Sequence, residues 1–302
     1  MGLRVVTCPH PAPRMETTEL LKRVRRIEIK TKGLSRQIFS GEYHSAFKGR
    51  GMSFSEVRNY QYGDDVRNID WNVTARSGEP YVKVFEEERE MTVMLLVDIS
   101  KSSFFGTVKQ PKNELITEIC AVLAFSAAQN NDKVGLLLFS DRVEKFLPPK
   151  KGRGHILRII RELLDTRPEG SGTDIGMALT YFTNMVKKRS ICFLVSDYLA
   201  TGYERELRLA ARRHDLVGLH LYDPRERELP AVGLLRAKDA ESGKTQWIDT
   251  DSSRVRDRYA HWYNENMDYF KSAFQQSGAD TLSVETTEDY VKELLRFFKR
   301  RG

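Results

Sequence analysis

Five oxygen-bearing side chains stand where they could hold a divalent cation. Asp98, Ser100 and Ser102 form an Asp-x-Ser-x-Ser run directly after the apolar segment Thr92 to Val97. Thr173 lies in Gly170-Ser171-Gly172-Thr173-Asp174, and Asp197 follows Val195-Ser196. Two carboxylates and three hydroxyls, with no His or Cys among them, make a hard-oxygen ligand set that suits Mg²⁺ or Mn²⁺ rather than zinc or copper. Two carboxylates neutralise a divalent ion only formally, and hydroxyls add no charge. The metal stays electrophilic, ready to accept a carboxylate oxygen from outside. Hydrolysis would want a nearby general base or a second metal, and no His lies close to these motifs in the chain. Each member also has a plainer explanation. Asp98, Ser100 and Ser102 could cap a helix or shape a strand-to-loop turn, Thr173 could cap a helix beginning near Ile175, and Asp197 one near Tyr203.

The elements that must position these residues are legible from residue 92 onward as alternating apolar strands and amphipathic helices. Val93 to Val97, Val134 to Phe139, Ile191 to Val195, Leu216 to Leu221 and Thr281 to Val284 read as buried strands. Between them, Leu115, Ile116, Ile119, Val122 and Leu123 mark one helical stripe, and Ile156, Leu157, Ile160, Leu163 and Leu164 a second. Ile175, Leu179, Phe182 and Val186 mark a third. Glu204 to Arg213, a long helix carrying Val255 to Phe274, and Tyr290 to Phe298 complete the helical set. Val143 to Leu147 reads as a hairpin partner of the strand before it, and Ala231 to Arg236 with Thr245 to Ile248 as a second hairpin. The alternation predicts a doubly wound, mostly parallel α/β sheet with an antiparallel edge. In such open sheets ligands sit outside the carboxyl ends of the strands, where Asp98 and Asp197 both fall.

Residues 39–90 break the alternation. Phe39 to Phe47, Val57 to Tyr60 and Tyr81 to Phe85 read as short strands of a small N-terminal β-rich module. Residues 91–302 form the α/β domain. Residues 15–38 form a basic amphipathic helix or arm, with Leu20, Val24 and Ile27 at helical spacing. Residues 1–14, with prolines at 11 and 13 and no periodicity, read as a disordered leader, and Met15 begins the regular sequence.

The net charge of +7 belongs to the N-terminus: residues 1–50 hold 11 Lys/Arg against 4 Asp/Glu, and the rest balances. The basic run fits a solvated helix face or a weak contact with an anionic membrane surface. No aromatics interleave the charges, so nucleic acid is not expected. No apolar run reaches the length of a membrane span and no secretory leader is visible, which gives a cytoplasmic expectation. Cys120 and Cys192 fall in apolar periodic segments and read as reduced core residues. Tyr62-Gly63-Asp64-Asp65 imitates a polymerase palm motif without a companion catalytic Asp. Asp64, Asp65 and Asp70 are expected to make turns and ion pairs with Arg67 and Arg76. With no Gly-x-x-x-x-Gly-Lys loop, ATP hydrolysis by this chain is not expected.

Asp98-x-Ser100-x-Ser102, Thr173 and Asp197 resemble the metal-ion-dependent adhesion site of von Willebrand factor A domains, and residues 92–300 resemble that fold in element order. Gly49-Arg50-Gly51-Met52-Ser53-Phe54, Tyr62-Gly63-Asp64-Asp65-Val66-Arg67-Asn68-Ile69-Asp70-Trp71, Thr74-Ala75-Arg76 and Glu86-Glu87-Glu88-Arg89-Glu90 resemble the bacterial family catalogued as domain of unknown function 58. The resemblance implies a non-enzymatic, Mg²⁺-dependent protein-binding module, an adaptor or scaffold whose partner presents an acidic residue. It also implies a MoxR-type AAA+ ATPase as partner, in a chaperone-like or complex-assembly role. Ser100, Ser102 and Thr173 would touch the metal directly, and Asp98 and Asp197 largely through water. One departure is Lys101, where the family often has Gly. The alternatives are a metal-dependent hydrolase or phosphotransferase using Asp98 or Asp197, and a peripheral membrane scaffold using the basic arm.

Overall fold

The structure, a computed structural model, describes residues 5–6, 17–38, 52–87, 90–100, 112–170, 172–239 and 245–301. It divides into two compact units, one of residues 48–91 and one of residues 1–47 with 92–302.

The larger unit is built on a six-stranded sheet. Its strands are β4 (Thr92–Asp98), β5 (Lys133–Phe139), β6 (Val143–Lys150), β7 (Ile191–Ser196), β8 (Asp215–Tyr222) and β11 (Asp280–Glu285), in the spatial order β11-β8-β7-β4-β5-β6. Every pairing is parallel except β5 with β6, the expected antiparallel edge. Pro148 and Pro149 lie in that edge strand, where a missing backbone donor is tolerated. All seven residues of β4 are buried, as a central strand covered on both faces requires. Met94 and Leu96 join Phe182, Leu207, Phe270 and Phe274 in one core cluster.

The helices of this unit are α1 (Thr17–Ile38), α3 (Lys112–Gln129), α4 (Arg153–Asp165), α5 (Ile175–Met185), α6 (Glu204–Arg213), α7 (Pro224–Arg227), α8 (Ser253–Ser277) and α9 (Tyr290–Arg301). The predicted α/β architecture is therefore observed. Helix α1 packs on α3 and α4 through buried Leu20, Val24 and Ile27. Two of its basic residues turn toward α3: Lys30 Nζ lies 2.6 Å from Glu118, and Arg23 Nη1 3.2 Å from Glu114. Val5–Val6 (β1) pairs antiparallel with β9 (Leu234–Asp239), which also pairs with β10 (Thr245–Asp249). The leader expected to be disordered thus contributes two residues of strand, and the rest of it lies outside the described residues.

The smaller unit pairs β2 (Met52–Asn59) with β3 (Tyr81–Glu87) around a 3₁₀ turn and a short helix, α2 (Trp71–Ser77). The helix was not expected in a β-rich module. Asp70 starts it by accepting from the backbone N–H of Asn72 and Val73. The ion pairs also differ from expectation. Asp64 takes both guanidinium nitrogens of Arg58, at 2.7 and 2.8 Å, and Asp70 lies 3.6 Å from Lys83. Only the Asp65–Arg67 pair, at 3.9 Å, matches. The expected strand Phe39 to Phe47 lies outside the described residues.

Candidate metal centre

Parallel order alone creates a crevice in this sheet. β4 is followed by α3 and β5 on one side, and β7 by α6 and β8 on the other. β4 and β7 are neighbours, so the chain diverges between their carboxyl ends, the place where open α/β sheets bind ligands. Asp98 is the last residue of β4, and Asp197 follows the last residue of β7.

Asp98 is fully buried and tightly held. Its Oδ1 accepts from the Ser100 backbone N–H at 2.8 Å and its Oδ2 from Ser196 Oγ at 2.7 Å. Burial, reinforced by the neighbouring Asp197 carboxylate, pushes Asp98 up to about 6. Asp197 Oδ1 accepts from the Leu199 N–H at 3.2 Å, closing a local turn. Between them sits a backbone constraint: Tyr198 has φ 53, the left-handed region, in a bulky residue. Its ring is held stacked on Phe270, at 4.0 Å between centroids, and its hydroxyl donates to the Leu194 carbonyl at 2.6 Å. Tyr198 N–H in turn donates to Ser196 Oγ at 3.2 Å. The aromatic core thereby fixes the bend that aims Asp197 and ties it to Asp98 through Ser196.

Thr173 reaches the same end of the sheet by a different route. Asp98 is paired with Phe139 in register, and the next residue, Ser140, accepts the Asp174 N–H on its carbonyl at 2.9 Å. Glu144 clasps the loop from the other side, its Oε1 accepting from Gly170 N at 3.0 Å and Glu169 N at 3.1 Å. Gly170 is required here, because a Cβ would collide with Ser140 and Asp141. Thr173 Oγ1 is buried and has no hydrogen-bond partner among the described residues. Neither Thr173 nor Asp197 caps a helix: Asp174 caps α5, accepting from Met177 N at 2.8 Å, and α6 follows Tyr203.

The fold therefore brings Asp98, Ser100, Thr173 and Asp197 to the carboxyl ends of neighbouring strands. Ser102 and Lys101 lie outside the described residues. Among the described residues no three His, Cys, Asp or Glu side chains are grouped to hold a metal, so a cation here depends on hydroxyl oxygens as well as carboxylates. The residues fit one: two buried carboxylates that repel each other, and an orphaned buried hydroxyl, are groups a hard cation would satisfy.

Two charged residues escaped the sequence reading. Lys112, the first residue of α3, is buried with its Nζ 2.8 and 3.0 Å from the Glu226 carboxylate oxygens and 4.0 Å from Asp197 Oδ2. Burial opposes its charge, but Glu226 and then Asp197 hold it protonated. Glu226 belongs to a capping box with Asp223 at the start of α7, which the Asp-Pro-x-Glu run would have revealed. A lysine opening a helix was the other available signal, since a cation there faces the positive end of the dipole.

A mostly parallel sheet in this order, with helices on its flanks and a carboxylate pair at its switch point, is a doubly wound α/β domain. The chain belongs to the family described as protein of unknown function DUF58, whose profile matches residues 56–269. An uncharacterized protein of Mycobacterium tuberculosis is 30% identical over 293 residues, spanning 95% of this chain and 92% of its own. Among solved structures, the conserved hypothetical protein BatB from Bacteroides thetaiotaomicron is 16% identical, with a TM-score of 0.47 over 70% of this chain and 98% of that one. Proximal thread matrix protein 1 from the mussel byssus, solved with a zinc-occupied MIDAS motif, is 16% identical, with a TM-score of 0.39 over 70% of this chain and 47% of that one.

Proposed function

We propose that the chain is a non-enzymatic protein-binding module, an adaptor or scaffold that grips an acidic side chain of a partner through bound Mg²⁺ or Mn²⁺. The observation that carries this reading is the meeting of Asp98 and Asp197 at the switch point of the sheet, with the unpartnered Thr173 hydroxyl at the same end. Asp98, Ser100, Ser102, Thr173 and Asp197 would hold the ion, which supplies an electrophile with positions open to a carboxylate oxygen. Both Asp98 oxygens already accept protein hydrogen bonds, which supports a role for Asp98 through water. The partner we propose is a MoxR-type AAA+ ATPase in the cytoplasm, served in a chaperone-like or complex-assembly role.

A hydrolase or phosphotransferase would need a base with access to water at the metal. His220 pairs in register with Ser196, but it is enclosed by Tyr198, Tyr222 and Phe270, and burial pushes it down to about 3. It is a neutral core side chain, which favours binding over catalysis. A weak anionic-membrane contact would fall to Lys22, Arg25 and Arg26, exposed bases of α1. Among the described residues no helix is long and apolar enough to cross a membrane.

The test is surface plasmon resonance with a purified MoxR-type ATPase from the same genome, in Mg²⁺ and in EDTA, with Ser102→Ala and Thr173→Ala as controls. Binding that needs Mg²⁺ and both hydroxyls supports the reading. Binding indifferent to metal and to both substitutions refutes the metal-gripping mechanism.

A further inference from the structure

The crevice contains a cation of the chain's own. Lys112 Nζ lies within 3.0 Å of both Glu226 oxygens and 4.0 Å from Asp197 Oδ2, with 1% of its side chain exposed. Its placement is unfavourable on two counts. An ammonium out of water loses its hydration, and the first turn of α3, a helix of 18 residues, adds the positive end of a dipole. Such a group persists only where carboxylates hold it. The carboxylates come from separate strand ends: Asp197 after β7 and Glu226 after β8. Glu226 is itself fixed, its Oε2 accepting from the Asp223 N–H at 3.0 Å. Glu226 alone satisfies one ammonium, yet the same nitrogen is also within ion-pair distance of Asp197, one of the two carboxylates proposed for the metal.

We propose that Lys112, held on Glu226 and 4.0 Å from Asp197, is an internal competitor with the divalent cation for the Asp197 carboxylate. Glu226 is then the parking site that makes metal entry possible, and the Lys112–Glu226 pair sets the affinity of the centre. The proposal rests on the metal-binding reading above and deepens it.

The experiment is Mn²⁺ binding to the full chain, followed by electron paramagnetic resonance and titration calorimetry. It compares the native sequence, Lys112→Met with Glu226→Gln, and Glu226→Gln alone. The double substitution keeps both side-chain volumes and removes the two charges together, so no buried ion is left without its partner. A change in net charge alone predicts no gain from it. Competition predicts that the double variant binds Mn²⁺ about tenfold tighter, because the ammonium 4.0 Å from Asp197 is gone. Glu226→Gln, which leaves Lys112 to Asp197, binds about tenfold weaker. Equal affinities in all three proteins overturn the proposal and leave the metal reading standing. No Mn²⁺ binding by any of them overturns both. Circular dichroism establishes that each variant is folded. If the double variant is not, Lys112→Leu with Glu226→Met, which also removes both charges together, takes its place, and binding no tighter than that of the native sequence overturns the competition.

Discussion

Asp98→Asn should make the metal-free protein more stable while removing its ability to hold a cation. Burial and Asp197 push Asp98 from an ordinary value near 3.8 up to about 6. At about 1.4 kcal/mol per pH unit, keeping this carboxylate ionised in the folded state costs about 3 kcal/mol at neutral pH. An asparagine escapes that cost and keeps the acceptor for the Ser100 N–H. Its amide nitrogen, however, faces Ser196 Oγ, which now donates to Asp98 and must turn to accept. The poorer pairing returns about 1 kcal/mol, leaving a net gain of about 2 kcal/mol, or about 4–8 °C in Tm for a domain of this size. The sign depends on pH. Between about pH 4 and pH 6 the folded protein holds a proton that the unfolded chain has shed, so native stability falls as pH rises through that window. The gain from Asp98→Asn is therefore full above pH 6 and fades toward pH 4. The assay is thermal unfolding by far-UV circular dichroism in EDTA at pH 8, 6 and 4. A variant less stable than the native protein at pH 8, or a difference that does not change with pH, would refute the account of Asp98 as a carboxylate whose charge burial and Asp197 oppose.

Other perturbations read other parts of the same construction. Gly170→Ala should cost about 1–3 kcal/mol in urea unfolding and weaken Mn²⁺ binding, because its Cβ displaces the loop that carries Thr173. Tyr198→Phe removes the hydroxyl bond to the Leu194 carbonyl and should cost about 1 kcal/mol by the same measurement, with the stacked ring retained. Gly218→Ala sets a Cβ 2.5 Å from the Phe274 ring and should lower stability by about 1–3 kcal/mol without changing Mn²⁺ affinity. Cys120, whose thiol burial pushes up to about 12, and Cys192 should resist a thiol reagent at pH 8 until denaturant is added; the assay uses Cys8→Ser.

The sequence by itself determined the sheet and the strand-end positions of Asp98 and Asp197. β4, β5, β7 and β8 are unbroken apolar runs because parallel strands are covered on both faces, and that signal is local. Asp98 and Asp197 were legible because a carboxylate ending such a run has no place in the core. Tertiary structure decided the rest, for reasons no local window contains. Lys112 and Glu226 are 114 residues apart, and the ion pair exists only because α3, after β4, and α7, after β8, begin at the same end of the sheet, on either side of β7. The partner of Asp64 is Arg58 across a turn rather than the nearer Arg67, because the β2–β3 pairing presents the guanidinium squarely to the carboxylate. Thr173 could have been a helix cap on sequence grounds. Its hydroxyl was left for another use because Asp174, one residue on, had already taken the cap.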